Sequence, residues 1–309
     1  MIWCLMTETP EEIVTVSDAA EMLGVSVSSV KRWVDGGVLP AVKTSGGHRR
    51  LRVSDIMSLA RSGVTGGLNI DFFRKRRVSP LPLPEPAAVY SELLNLVKER
   101  KPEELAIGLD RARQAGLELH TMGDEVIFPL MDEVGKLWQE KKLDVADEHL
   151  ATRAIHNTLA RWKESALQAS PKSGRLAVGA CPQGDYSGLG NFLVELSLLG
   201  RGWKVLNLGP NTPMDSLAMV AREQHADLVW LTCTYVESED SFVTDLKALH
   251  QKLMSHGTAL FLGGRALQGP LRRKLTFDWQ GDTLAQLDRA LADRFPAPRE
   301  TENRETSKA

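Results

Sequence analysis

The chain has 309 residues, 42 % hydrophobic and 25 % charged, with a formal net charge of −2. That is the composition of a globular protein long enough for two or three domains. No apolar run reaches the roughly 18 to 20 residues needed to cross a bilayer, so no membrane span is expected. Met1–Met6 is apolar but too short for a signal peptide and is followed by acids, which argues against secretion. Cys4, Cys181 and Cys233 are odd in number and scattered. That argues against a disulfide framework and for the reducing cytoplasm. The charge is uneven. Residues 1–29 carry five acids and no Lys or Arg, while residues 30–77 carry eleven Lys or Arg against Asp35, Asp55 and Asp71. Such a basic segment points either to a phosphate-bearing partner or to a solvated surface.

The first elements are short helices. Val14–Ser17 leads into Asp18–Leu23, where Ser17 and Glu21 read as a helix start. Gly24-Val25-Ser26 is a turn. Val27–Val34 is a second helix with Val27, Val30, Trp33 and Val34 on its buried face and Ser28, Ser29, Lys31 and Arg32 outside. Helix, glycine turn and a second helix with basic outward residues is the helix-turn-helix pattern, whose second helix enters the major groove. Val38–Lys43 and Arg49–Arg52 flank Gly46-Gly47 as two strands of a hairpin with a basic tip, and Ser54-Asp55 starts another helix. The run Ser45-Gly-Gly-His-Arg-Arg-Leu-Arg52 closely resembles the wing of the MerR family of winged-helix regulators. The resemblance implies double-stranded operator DNA as a partner, approached by Ser28, Ser29, Lys31, Arg32, His48, Arg49 and Arg50. Arg suits both phosphate and guanine edges through its planar fork. Arg74–Arg77 either extends the phosphate contacts or is a solvated hinge.

The domain plan read from the chain is a winged helix over 12–77, a Pro-rich linker over 78–86, a helical bundle over 87–170, an α/β domain over 174–296 and a disordered tail over 297–309. The bundle has four helices with stripes such as Val89, Leu93, Leu96, Val97 and Leu105, Leu109, Ala112. Pro129 must kink or restart the third. Trp138, nine residues, then Glu148-His149 stands across the last joint. Singly, each could be a core residue. Together, Val134–Trp138 and Val145–Thr152 resemble the cap bundle of cobalamin-dependent methionine synthases and of the light-sensing cobalamin repressors of carotenoid genes. That resemblance places Trp138, Glu148 and His149 against the upper side of a corrin. Gln139 stands where those repressors often carry a cobalt-capturing His. His120 and His156 read as surface or inter-helix residues.

Strands at Leu176–Cys181, Trp203–Leu208, Ala226–Thr232 and Thr258–Leu262 alternate with helices at 189–199, 214–225, 242–256 and 283–295, with a weaker strand near 275–279. This is a doubly wound parallel sheet, which the resemblance makes flavodoxin-like of the cobalamin-binding type, so the fold class is multidomain α and α/β. Ligands of such sheets bind beyond the carboxyl ends of the strands. There, Asp185-Tyr-Ser187-Gly-Leu-Gly190 resembles the D-x-H-x-x-G loop of the cobalamin fold, and Thr232-Cys-Thr234 and Gly263-Gly264 its later elements. By that resemblance Asp185, Ser187, Gly190, Thr232, Thr234, Gly263 and Gly264 line the cofactor site. The metal ligand stays unknown, since Ser187 replaces the usual His and a hydroxyl is a far weaker cobalt ligand than imidazole.

Three states of the pocket are open: cobalamin, such as adenosylcobalamin, without its lower protein ligand; a bilin or haem, with Cys181 bonding to it or simply packing; or no ligand. The function expected is a transcription regulator, a repressor by resemblance, sensing a cobalamin-type tetrapyrrole through dimer or tetramer formation. Without imidazoles at 187 and 139, its response to light should be weakened or altered and give no bis-His product. The alternatives are a corrinoid carrier module for methyl transfer, disfavoured by the winged helix, and a ligand-independent regulator. The chain itself is not expected to be an enzyme.

Overall fold

A computed structural model describes residues 13–43, 49–61, 83–169 and 173–296. They fall into two compact units, divided at Pro84–Glu85. The wing tip with His48, the basic run at 74–77, most of the linker, Cys4 and the tail lie outside the described residues.

The first unit packs α1 (Val16–Met22), α2 (Val27–Asp35) and α3 (Val53–Arg61) against a three-stranded antiparallel sheet. Its strands are β1 (Ile13–Thr15), β2 (Val42–Lys43) and β3 (Arg49–Arg52), in the order β1-β3-β2. The core is Ala19, Ala20, Met22, Leu23, Val30, Leu39, Leu51, Val53, Ile56 and Leu59. Four expectations need correction. The strand β1 was not foreseen, because three residues are too few to show an alternating pattern. Thr15, in extended backbone at its end, is the cap of α1 in place of Ser17: its hydroxyl accepts from Asp18 N at 3.0 Å, and Asp18 Oδ2 accepts from Thr15 N at 3.1 Å. Val27 is exposed, since it sits in the first turn beside the Ser26 cap. The first strand of the hairpin is only Val42–Lys43, because the Val38 and Leu39 amides turn back to Trp33 O.

The second unit joins bundle and sheet. Its helices are α4 (Pro86–Lys98), α5 (Pro102–Gln114), α6 (Leu119–Thr121), α7 (Phe128–Gln139) and α8 (Val145–Ala169). Pro86, expected in the linker, is instead the first residue of α4, where its missing N–H costs nothing. The break foreseen at Pro129 takes a specific form: Met122–Ile127 is one widened π-helical segment, and α7 restarts with Pro129 in its first turn.

The sheet comprises β4 (Leu176–Ala180), β5 (Lys204–Asn207), β6 (Leu228–Thr232), β7 (Ala259–Gly263) and β8 (Trp279–Gly281). All neighbours are parallel, in the order β5-β4-β6-β7-β8. The last strand lies later than its expected place at 275–279, because Asp278 turns the chain by accepting from Leu260 N at 2.8 Å. Helices α9 (Leu189–Gly200), α10 (Met214–Glu223), α11 (Glu239–Met254), α12 (Gly269–Arg272) and α13 (Leu284–Arg294) complete the unit. The short α12 gave no sequence signal.

Both sheet faces are buried, as a parallel sheet requires. Ala177, Leu228, Trp230, Ala259 and Phe261 face a core shared with the bundle, α9 and α13. Val178, Ala180, Val229, Leu231, Leu260 and Leu262 face α10 and α11. Gly179 has no room for a Cβ, because the Trp230 indole lies across it. The bundle also caps the sheet domain: the Asp124 carboxylate accepts from Leu284 N at 2.8 Å and Ala285 N at 3.0 Å, at the start of α13. Gly123 beside it leaves the space that the Leu284 side chain fills.

Candidate ligand crevice and nucleic-acid interface

In the first unit, Ser28, Lys31 and Arg32 are exposed on α2 and Ser29 is half-buried. The Ser26 hydroxyl accepts from Ser29 N at 3.2 Å, and its oxygen lies 2.8 and 3.0 Å from the Ser28 and Ser29 hydroxyls. The helix therefore starts on a fixed cluster of hydroxyls, at the end that favours anions. Arg49 and Arg50 are half-buried on β3. Arg49 is paired with Asp35, the last residue of α2, at 2.6 Å. The sequence reading missed this acid; a lone Asp at a helix end gives no signal of a partner fourteen residues on. Of the expected DNA-facing residues, the structure thus brings α2 and Arg49 together, leaves Arg50 opposite Thr15 and Val42, and does not describe His48.

In the second unit, the chain leaves β4 and β6, adjacent in the sheet, toward helices on opposite faces, so their carboxyl ends form the switch point. Asp185 sits there with no exposed surface. Its Oδ1 accepts from Ser187 N at 2.9 Å, and its Oδ2 from Thr234 N at 2.5 Å and Tyr235 N at 3.1 Å. The carboxylate therefore staples the loop after β4 to the loop after β6. That gives it a positioning role at the mouth of the crevice. Thr232 is also engaged inside: its hydroxyl lies 3.3 Å from the Cys181 sulfur, which in turn donates to Ser187 O at 3.3 Å. Burial pushes the Cys181 thiol up to about 11 and raises Cys233 well above the usual range. Cys181 is thus a packed thiol, the bland one of the two roles open to it.

The remaining predicted residues line the rim. Ser187 is exposed; Thr234 and Gly190 are half-buried. Gly263 pairs with Thr232 and Gly281, and Gly264 has φ 113° and stands so close to the Cys233 backbone that no Cβ fits. Tyr186 and Tyr235, one on each loop, are 75 % and 56 % exposed, large aromatic faces left on the rim of the crevice. On the bundle, Trp138 is 47 % exposed, His149 is exposed, and Glu148 Oε1 accepts from the Thr152 hydroxyl at 2.7 Å. An ion pair of 3.0 Å between Arg265 and Asp132 ties the loop after Gly264 to α7.

A chain of polar side chains that the sequence did not reveal runs from the crevice into the bundle. Trp230 Nε1 donates to Asn191 Oδ1 at 2.5 Å, and Asn191 Nδ2 to Asn207 Oδ1 at 2.5 Å. Asn207 Nδ2 donates to Glu195 Oε2 at 2.8 Å, and Lys163 of α8 meets Glu195 Oε1 at 2.6 Å. Gly209 N, in the loop after β5, also donates to Asn207 Oδ1.

Two family matches decide what these units are. Residues 13–63 match the helix-turn-helix domain family, and residues 89–163 match the B12 binding domain family. The chain is a DNA-binding regulator with a B12-binding module. The regulator is 27 % identical to the HTH-type transcriptional repressor CarA of Myxococcus xanthus, over 74 % of its own length and 79 % of the relative. It is 26 % identical to the HTH-type transcriptional repressor CarH of the same organism, over 83 % and 90 %. In fold it resembles the monomethylamine corrinoid protein of Methanosarcina barkeri, with a TM-score of 0.57 at 13 % identity, covering 68 % of this chain and all of that one. No helix among the described residues is long and apolar enough to cross a membrane.

Cobalamin is the cofactor that such a module takes, and the residues fit it unequally. The stapled loops hold an exposed rim at the switch point, which suits the approach of a corrinoid tail, while Gly264 and Gly263 let those loops close against the Cys233 backbone and the Gly281 carbonyl. The donor set does not suit a cobalt ligand at position 187, because the hydroxyl is no substitute for imidazole.

Proposed function

We propose that the regulator is a repressor whose grip on operator DNA is set by cobalamin held between the bundle and the sheet. The observation that carries this is the presence, on one chain, of a helix-turn-helix domain and a B12-binding domain whose bundle shares a core with the sheet. Lys31, Arg32, Arg49 and Arg50 supply charge to phosphates and base edges, with Ser28 and Ser29 beside them and His48 as a further contact by its place in the sequence motif. Trp138, Glu148 and His149 present the upper wall of the cofactor site. Gly190, Thr234, Gly263 and Gly264 admit the tail, while Asp185 and Thr232 hold the loops that shape it. A bound adenosylcobalamin would supply a light-sensitive cobalt–carbon bond. The protein's own part is to fix bundle against sheet and, through that, the dimer or tetramer that presents the winged helices. With Ser187 and Gln139 in place of imidazoles, the response to light is weakened relative to a bis-His sensor. The reading is a regulator and not an enzyme, because the relatives that the chain matches over most of their length are repressors.

The test is a mobility-shift titration of the upstream DNA of the regulator's own gene, with and without adenosylcobalamin, in darkness and after illumination. Retardation that depends on the cofactor supports the reading; retardation indifferent to it at every protein concentration overturns it.

A further inference from the structure

Resting on that cofactor reading, one imidazole stands apart from the rest. His156 projects from α8 at the seam between bundle and sheet. A methyl group added at Gly188, the neighbour of Ser187, would lie 3.8 Å from its Cε1. Its other contact is the Phe192 ring in the first turn of α9, 6.0 Å between centroids. It is half-buried and has no hydrogen-bond partner among the described residues. The other described histidines differ. His120 faces Asp288, His149 faces Glu148 and His250 faces Asp278, while His225 and His256 are exposed. Desolvation lowers the pKa of His156, and Lys163, two turns on along α8, lies 5.9 Å from the same Phe192 ring. The imidazole is therefore neutral with a free lone pair, the form a metal requires.

We propose that His156, supplied by the bundle across the seam, is the protein nitrogen that coordinates the cobalt of a bound corrinoid. Reaching the metal would move the imidazole from its place over Gly188, so coordination would draw the bundle and the loop 185–190 into one arrangement. A ligand on α8 would also make bundle position sensitive to the state of the cobalt, since α8 carries Lys163 and its pair with Glu195.

The test is electron paramagnetic resonance of the full-length protein loaded with cob(II)alamin and prepared with ordinary or 15N-labelled histidine. Coordination by a protein imidazole predicts triplet nitrogen splitting that becomes a doublet on labelling and is lost in His156→Gln. A triplet unchanged by labelling would assign the nitrogen to the cofactor's own base and overturn the proposal. So would absence of nitrogen splitting, or a doublet that survives in His156→Gln. His156→Asn, checked by circular dichroism and urea midpoint, separates lost ligation from lost folding. Failure of the wild-type protein to retain any cob(II)alamin on gel filtration would instead sink the cofactor reading itself, and this inference with it.

Discussion

Asp185→Asn is the substitution whose cost follows most directly from the geometry. The carboxylate accepts three backbone N–H groups, one on Oδ1 and two on Oδ2. An amide of the same shape keeps one oxygen and turns an NH2 toward the other side. The cheaper orientation keeps Thr234 and Tyr235 and sets two donors face to face at Ser187 N. Hydrogen bonds to a charged acceptor contribute about 1.5–3 kcal/mol each, and the two that survive are weakened by loss of the charge. The expected cost is about 2–3 kcal/mol, or roughly 5–10 °C in the melting temperature of a unit this size. Asp185→Ala, which strips all three, should cost more. Ser187→Ala is the control, since its hydroxyl is exposed and the staple uses only its backbone; it should change stability by less than about 0.5 kcal/mol. Urea unfolding followed by tryptophan fluorescence reads the difference, because Trp230 lies in the same sheet. An Asn variant within about 0.5 kcal/mol of wild type, or an equal loss in Ser187→Ala, would refute the staple.

Three further outcomes follow from named pairs. Asp147, at the start of α8, is held below the usual carboxylate range by the Arg100 guanidinium at 2.6 Å and by Asp144 N. A depressed folded pKa gives stability that is present above the unfolded value and lost as pH falls through the folded one, so Asp147→Asn should flatten the acid limb of a stability–pH curve; an unchanged limb would count against the pair. In a Cys4→Ser background, Cys181 and Cys233 should resist alkylation at about pH 8 until the protein unfolds, because burial keeps both as thiols. Modification of the native protein at the rate of a free thiol would contradict that packing. Asp35→Asn should release Arg49 for phosphate and tighten non-specific DNA binding, with the salt slope steeper by about one contact; weaker or unchanged binding in filter-retention titrations would show that the Arg49 pair does not compete with DNA.

The sequence showed most of what depends on period and spacing. The alternation of apolar strands with helices gave the parallel sheet, and the Ser45–Arg52 run with its preceding helices gave the winged helix. What stayed hidden depends on contacts between distant positions. Asp185 stands out in the sequence because its spacing to Gly190 matches a family loop; that its carboxylate also accepts from Ser187, Thr234 and Tyr235 is a fact of tertiary packing. Asn191, Asn207, Glu195 and Lys163 lie on different elements and carry no shared pattern. His156 sits on an ordinary helical face, and its nearness to Gly188 appears only when α8 packs on α9. Short pieces were lost for a different reason: β1 and α12 have three and four residues, below the length at which a period can be seen.

The central claim is that the bundle and the sheet together hold a corrinoid. The most direct test mixes the purified protein with adenosylcobalamin in darkness, separates it by gel filtration and reads the visible spectrum of the protein peak. The corrin should co-elute at about one per chain. Corrin eluting only at the position of the free molecule, with wild-type protein in excess, would contradict the claim.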